Sequence, residues 1–219
     1  LARFEAIHRL TRLYPGRCGL ATTPHDVERI VKSGKRAIMI GVENGYPLGT
    51  DLANVEKFYK LGARYITLCH NGHNQLCDSC KPKPELGDEA GEHGGLSPFG
   101  RRVVAEMNRL GMMVDVSHLA STSFGDVIAT SRAPIIASHS GCKGVFDHPR
   151  NLDDRELTAL AANGGVIQVV SVPQFLNGPS AQRNQAIREL AARIGLPALP
   201  DLPDEPDEPD LKQATDQQR

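Results

Sequence analysis

Short apolar runs alternate with helical patterns along this chain, and this alternation constrains the fold more than any other feature. The apolar runs predict five strands, at residues 36–43, 63–70, 112–118, 133–139 and 165–172. Apolar residues at helical spacing predict five helices that follow them, at residues 51–62, 96–111, 121–132, 152–164 and 181–195. Repeated strand–helix units of this kind predict an α/β fold with a parallel sheet and helices packed outside it.

Two segments depart from this alternation. Residues 71–95 form a long polar and glycine-rich segment, and a loop of that length inside a domain is more often functional than accidental. Residues 196–219 are rich in proline and acidic residues, which predicts a linker or a disordered tail. The predicted domain therefore comprises residues 1–195.

Composition excludes several classes of function. Apolar residues make up 40% of the chain, which suffices for a core, and a net charge of −1 predicts no nucleic-acid partner. No apolar run approaches the roughly 20 residues that span a bilayer. The five cysteines are an odd number, which argues against a disulfide scaffold and favours a reducing compartment such as the cytoplasm. Because the chain opens without methionine in a helical pattern, an exported or membrane-anchored parent stays open.

Four successive predicted strands end in a residue that can bind a metal ion: Glu43, His70, His118 and His139. The carboxyl ends of parallel strands converge on one face, so these side chains are expected to lie together. Each residue alone also has an ordinary explanation, as a structural histidine or, for Glu43, as a cap of the helix near Asp51. Together, a glutamate and several histidines favour zinc or a similar transition metal.

A rival metal site lies in the segment CHNGHNQLCDSC, where short spacings could build a structural zinc site from Cys69, His73, Cys77 and Cys80. The second Cys or His pair expected at a distance is missing, so cysteines in a loop are the better interpretation. The glycines of GGLSPFG lack the spacing of known phosphate-binding loops. The remaining histidines are interpreted as surface or loop residues: His8, His25, His93 and His148.

Several segments, in this order and spacing, resemble the membrane dipeptidase (renal dipeptidase) family of zinc peptidases, family M19, in a bacterial-type member. They are IGVENG, RYITLCHNGHN, GLSPFGRRVVAEMNRLGMMVDVSH, SRAPIIASHSG and HPRNLDD, and the resemblance covers about residues 1–195. It implies an amidohydrolase-like (β/α)8 barrel, a TIM-like metal-dependent hydrolase fold, of which this chain would supply about five central units.

The resemblance also implies roles for individual residues. Glu43 resembles the carboxylate that bridges two zinc ions, and His118 and His139 resemble the ligands that complete one of the two sites. His70 is similar to the histidine that polarises the scissile carbonyl and steadies the tetrahedral intermediate. Arg150 resembles the arginine that receives the terminal carboxylate of the substrate, and its ordinary alternative is a surface arginine beside acidic neighbours.

The chain departs from the family pattern at two places. No His-x-Asp pair precedes Glu43, because His25 and Asp26 are adjacent, and no late aspartate of the D-F-D-G type follows. We therefore expect the chain to be the middle of a binuclear Zn²⁺ dipeptidase, which acts on dipeptides, including those with a D-residue in second position. The expected partners are dipeptide substrates, and a homodimer is left open. The alternative is a catalytically incompetent scaffold or binding protein that keeps part of the metal site.

Overall fold

The computed structural model describes residues 1–177 and 181–195. The chain divides into two compact units, Leu1–Val170 and Ser171–Arg219. The predicted tail at residues 196–219 lies outside the described residues, and the domain boundary at residue 195 stays a prediction.

Six α-helices lie in the first unit, all of whose residues are described: α1 (Ala2–Leu13), α2 (Pro24–Lys32), α3 (Ala53–Lys60), α4 (Pro98–Leu110), α5 (Ser121–Thr130) and α6 (Asp154–Ala162). Two short 3₁₀ turns at Tyr46–Leu48 and Pro84–Leu86 lie between them. The second unit contains α7 (Pro173–Leu176) and α8 (Ala181–Arg193). Among the helices that the structure describes, none combines the length and apolar character needed to cross a bilayer.

The strands of the first unit form two parallel sheets. The main sheet has the order β3 (Ile40–Val42), β4 (Ala63–Thr67), β5 (Met113–Asp115), β6 (Ile136–Ser140) and β7 (Val166–Val169). Neighbouring strands in space are thus neighbours in sequence, as expected for successive strand–helix–strand units. A separate pair consists of β1 (Cys18–Leu20) and β2 (Arg36–Ile38).

The predicted α/β class with a parallel sheet is confirmed, but one predicted strand is wrong. Residues 36–43 do not form one doubly buried strand, because the strand is interrupted at Met39, whose side chain is 44% exposed. Before the break, β2 pairs with β1, and after it β3 pairs with β4. The apolar run concealed this change of partner because both halves consist of strand-forming residues.

Local signals in the sequence explain where several helices begin. The Ser97 hydroxyl accepts a hydrogen bond from the backbone N–H of Gly100, and Pro98 occupies the first helical position of α4. Asp153 and Glu156 form a reciprocal capping box at the start of α6. These caps satisfy N–H groups that have no partner inside the helix, and they fix where each helix leaves its loop.

The core of the first unit lies between the main sheet and the helices α3 to α6. Its fully buried large side chains come from the strands, the helices and the 71–95 loop: Leu48, Ile66, Leu68, Leu76, Met107 and Ile135. Each contributes about 1.5–3 kcal/mol through burial of apolar surface. Because the 71–95 loop supplies Leu76 to this core, one end of that loop is anchored beside the strand ends.

Candidate metal centre

Four side chains meet at the carboxyl ends of the central strands. Glu43 directly follows β3, His70 and His118 follow β4 and β5, and His139 lies near the end of β6. The Glu43 Oε1 atom lies 3.0 Å from His139 Nε2, 3.4 Å from His118 Nε2 and 3.8 Å from His70 Nε2. The two Nε2 atoms of His118 and His139 are 2.9 Å apart. One carboxylate oxygen and three imidazole nitrogens therefore face one another.

This group of atoms can hold a metal ion. Ligand atoms of Glu43, His70 and His118 all lie within 4.8 Å of one another, and His139 Nε2 contacts two of these residues. Imidazole nitrogen and carboxylate oxygen together suit zinc and related transition metals. The capping alternative for Glu43 is wrong, because its carboxylate faces His139. The geometry places His70 beside the predicted ligands, and the separate roles of these residues stay predictions.

The backbone is unusual at two places in this centre. Among the described residues, Asn44 and His118 are the non-glycine residues with positive φ, at 70° and 73°. Such a conformation costs free energy and persists where surrounding contacts enforce it. Asn44 Oδ1 accepts hydrogen bonds from the backbone N–H of Tyr46, at 3.1 Å, and from Asn74 Nδ2, at 3.0 Å. These bonds hold the turn that directly follows Glu43.

The protonation states of this centre suit metal binding. Hydrogen bonds with His118 and His139 hold the pKa of Glu43 well below its usual range. Burial lowers the pKa of His118 to about 3, and the Arg150 charge acts in the same direction, while Glu43 opposes both. At neutral pH Glu43 is therefore ionised and His118 is neutral, which are the forms that bind metal ions.

Arg150 is buried beside the same centre, at 2% exposure. Its Nη2 donates a hydrogen bond to the backbone carbonyl of His139 at 3.1 Å, and its backbone N–H donates to His148 Nδ1 at 3.1 Å. The surface alternative for Arg150 is therefore wrong. Whether the guanidinium binds the carboxylate of a substrate stays a prediction.

Two other histidines are structural rather than exposed. His148 lies in a loop, as expected, but it is buried where it orders the backbone at Arg150. His8 lies in α1 and is half-buried, and its Nε2 is 2.8 Å from the carbonyl oxygen of Leu61. The interpretation of His8 as a surface or loop residue is wrong, because the His8 side chain connects α1 to the end of α3.

Asp26, which is adjacent to His25 in the sequence, has a structural role. Its carboxylate accepts hydrogen bonds in the capping box of α2.

The 71–95 loop supports the centre through hydrogen bonds to the backbone of its histidines. The Ser79 hydroxyl lies 2.5 Å from the carbonyl oxygen of His70 and 3.3 Å from that of His118. The backbone N–H of Cys80 donates a second hydrogen bond to the His118 carbonyl at 2.8 Å. The loop thus connects the backbones of two histidines of the centre.

Asp78 organises this loop. Its side chain is buried, and its carboxylate accepts hydrogen bonds from the backbone N–H groups of Glu92, His93 and Gly95, each at 3.1 Å. Its carbonyl oxygen accepts a hydrogen bond from Ser123 Oγ at 2.8 Å. A buried carboxylate with these partners holds the far part of the loop against the part next to the metal centre.

The rival zinc site in this loop is not assembled among the described residues. His73 has its Nδ1 bonded by the Ser79 N–H at 2.9 Å, and its Nε2 lies 2.9 Å from the Glu89 carbonyl. Burial raises the pKa of the Cys69 thiol well above its usual range, which disfavours the thiolate that zinc binds. Within the described part of the chain, the candidate metal-binding group is instead the one that contains Glu43.

Two polar residues of the centre were not identified from the sequence. Asp115 is completely buried, and Ser138 Oγ lies 2.5 Å from its Oδ2 and 2.7 Å from His139 Nδ1. A signal was available, since a charged residue inside an apolar strand must find partners when it is buried. Asp115 interrupts the run MMVDVSH in this way.

Comparison with known proteins connects this centre to peptidases. A profile of the family described as membrane dipeptidase (peptidase family M19) matches residues 1–215. The dipeptidase verJ of Clonostachys rogersoniana is 38% identical over 194 residues, which are 89% of this chain and 47% of that protein. The chain thus spans about half the length of this relative.

Solved structures show the same likeness. The probable dipeptidase PvdM of Pseudomonas aeruginosa has a TM-score of 0.80 and 38% identity, over 90% of this chain and 50% of that one. A metallo peptidase of Rhodobacter sphaeroides, solved with a phosphinate mimic of the dipeptide L-Ala-D-Ala, has a TM-score of 0.70 and 27% identity, over 87% and 56%. This likeness confirms the predicted fold class, an α/β barrel of which the strand–helix repeats of the main sheet form a part.

Proposed function

Because the chain belongs to the membrane dipeptidase family, peptidase family M19, we propose that it carries the metal-binding part of a zinc-dependent dipeptidase. The observation that supports this most directly is the meeting of Glu43, His118 and His139 at one point of the sheet edge.

The residues fit a zinc ion. Glu43, His118 and His139 would hold it, with His70 beside them, and the family resemblance makes a binuclear centre part of the proposal. An ion held by these residues would supply Lewis acidity, the chemistry that makes a bound water nucleophilic near neutral pH. The chain contributes an ionised carboxylate and a neutral, buried His118, so that no proton has to leave His118 near neutral pH.

The neighbouring residues can orient a dipeptide. His70 lies beside Glu43 with its ring 4.0 Å from that of His118, where it can donate a hydrogen bond to a substrate carbonyl. Arg150 is buried behind His139, and a guanidinium is suited to a carboxylate. We propose that Arg150 receives the free carboxylate of the dipeptide, which would limit hydrolysis to substrates with an unblocked C-terminus.

The proposed substrates include dipeptides with a D-residue in second position. The structural neighbour from Rhodobacter sphaeroides was solved with a mimic of L-Ala-D-Ala, and its fold matches this chain over 87% of its length. Dipeptide substrates follow from the family, whereas a homodimer stays a prediction.

The test is an assay of amino-acid release from L-Ala-L-Ala and L-Ala-D-Ala by the full-length protein. We expect release with both substrates, its loss after chelation, and its return on addition of zinc. Glu43→Gln should abolish activity, whereas Glu85→Gln, at an exposed position of the 71–95 loop, should retain it. A zinc-loaded, folded protein that hydrolyses neither dipeptide would contradict the proposal and favour the scaffold alternative.

A further inference from the structure

Asp115 is the centre of a hydrogen-bond network beneath the metal centre. The residue is completely buried, and its Oδ2 accepts hydrogen bonds from the hydroxyls of Thr67, at 2.6 Å, and Ser138, at 2.5 Å. Its Oδ1 accepts from the backbone N–H groups of Ser117, at 3.1 Å, and Ser138, at 2.9 Å. Four donors surround the two oxygens, which suits an ionised carboxylate that can only accept.

This arrangement determines the direction of the next hydrogen bond. Ser138 has a single hydroxyl proton, and it points to Asp115. The Ser138 oxygen must therefore accept in its 2.7 Å contact with His139 Nδ1, so that Nδ1 carries the imidazole proton. The opposite nitrogen, Nε2, faces Glu43 at 3.0 Å, and it is the atom left to bind a metal ion.

His118 differs from His139 in this respect. Its Nδ1 is buried and has no hydrogen-bond partner among the described residues, whereas its Nε2 faces the same centre. The structure thus provides the chain of hydrogen bonds from Asp115 through Ser138 to the imidazole for His139 but not for His118. This difference makes the chain of hydrogen bonds testable, because a substitution at Ser138 should change the tautomer of His139 and leave that of His118 unaffected.

We propose that Asp115 and Ser138 are positioning residues that hold His139 as the Nδ1–H tautomer, with Nε2 ready to bind the metal ion. The tautomer follows from the hydrogen bonds alone, while its consequence for metal affinity rests on the proposed function. Outer partners of this kind typically change metal affinity by about 10- to 100-fold.

The first measurement is the tautomer of His139 in the metal-free, full-length protein that carries Glu43→Ala, by long-range ¹H–¹⁵N correlation with ¹⁵N-labelled histidine. This background removes the carboxylate 3.0 Å from Nε2, so that Ser138 alone directs the proton. We expect the Nδ1–H form in this background and after Ser138→Thr, which keeps the hydroxyl. Ser138→Ala should populate the Nε2–H form. Ser140→Ala is the matched control, since its hydroxyl lies on the same strand, is buried and makes no hydrogen bond among the described residues.

The second measurement is zinc affinity by competition with a chelator. Ser138→Ala should bind zinc about 10- to 100-fold more weakly, while Ser138→Thr and Ser140→Ala stay close to the unmodified protein. An Nε2–H tautomer in the Glu43→Ala protein, or a Ser138→Ala variant that matches Ser140→Ala in both measurements, would overturn the proposal. If the expected tautomer is found but the unmodified protein binds no zinc, the positioning role is upheld and the proposed function is contradicted instead.

Discussion

Glu43 Oε1 lies 3.0 Å from His139 Nε2, although two strands separate β3 from β6 in the sheet. Strands three places apart in a flat sheet are about 14 Å apart. Long side chains bridge such a gap only when the sheet curves and they converge on its inner side, as in a barrel. The contact therefore connects the fold to the chemistry, because the curvature that forms a barrel also brings a carboxylate to the histidines.

Arg150 provides a test of substrate recognition. Arg150→Lys should lower kcat/KM for dipeptides about 10- to 100-fold, because a charge-assisted, paired hydrogen bond of about 1.5–3 kcal/mol is lost. C-terminal amides of the same dipeptides should be hydrolysed slowly by the unmodified protein, and Arg150→Lys should lower kcat/KM for these amides little further. An equal fall for acids and amides would leave Arg150 with a structural role only, through its bond to the His139 carbonyl.

Asp78 provides a test of the loop. Asp78→Ala removes the acceptor of three backbone N–H groups, so we expect a loss of at least about 2 kcal/mol in the free energy of unfolding. Proteolysis within the 71–95 loop should become faster. Glu85→Ala, in the same loop but exposed, is the control and should change stability little. Equal denaturation midpoints for the two variants would show that Asp78 does not organise the loop.

The buried histidine makes the stability of the metal-free protein dependent on pH. Unfolded His118 binds a proton below about pH 6.5, whereas the folded protein lowers the pKa of His118 to about 3. Between these values the unfolded state binds more protons, so stability falls as the pH falls, by about 3 kcal/mol between pH 6.5 and 4. The lowered pKa of Glu43 acts in the same direction at lower pH.

Denaturation of the metal-free protein between pH 4 and 7 measures this dependence. His118→Gln should flatten the slope of stability against pH, whereas His25→Gln, at an exposed position of α2, should not. A His118→Gln variant with the slope of the unmodified protein would show that His118 is not held neutral by burial.

The sequence was sufficient to predict the strand-end centre, because parallel strands deliver their last residues to one edge whatever the details of packing. It was not sufficient to place the break at Met39, since an apolar run does not reveal a change of strand partner. Arg150 was recognised through family resemblance, but its burial depends on tertiary contacts with His139 that no local pattern encodes. The partners of Asp115 come from β4, from β6 and from the turn that follows β5, and they become visible only in the fold.

X-ray absorption at the zinc edge of the zinc-loaded, full-length protein tests the central claim most directly. The account predicts a shell of nitrogen and oxygen donors at roughly 2.0–2.2 Å, with the outer scattering of imidazole, which His118→Ala and His139→Ala together should reduce. A sulfur shell at about 2.3 Å would place the zinc on Cys77 and Cys80. That result, or a spectrum unchanged in the double variant, would contradict a metal centre built on Glu43, His118 and His139.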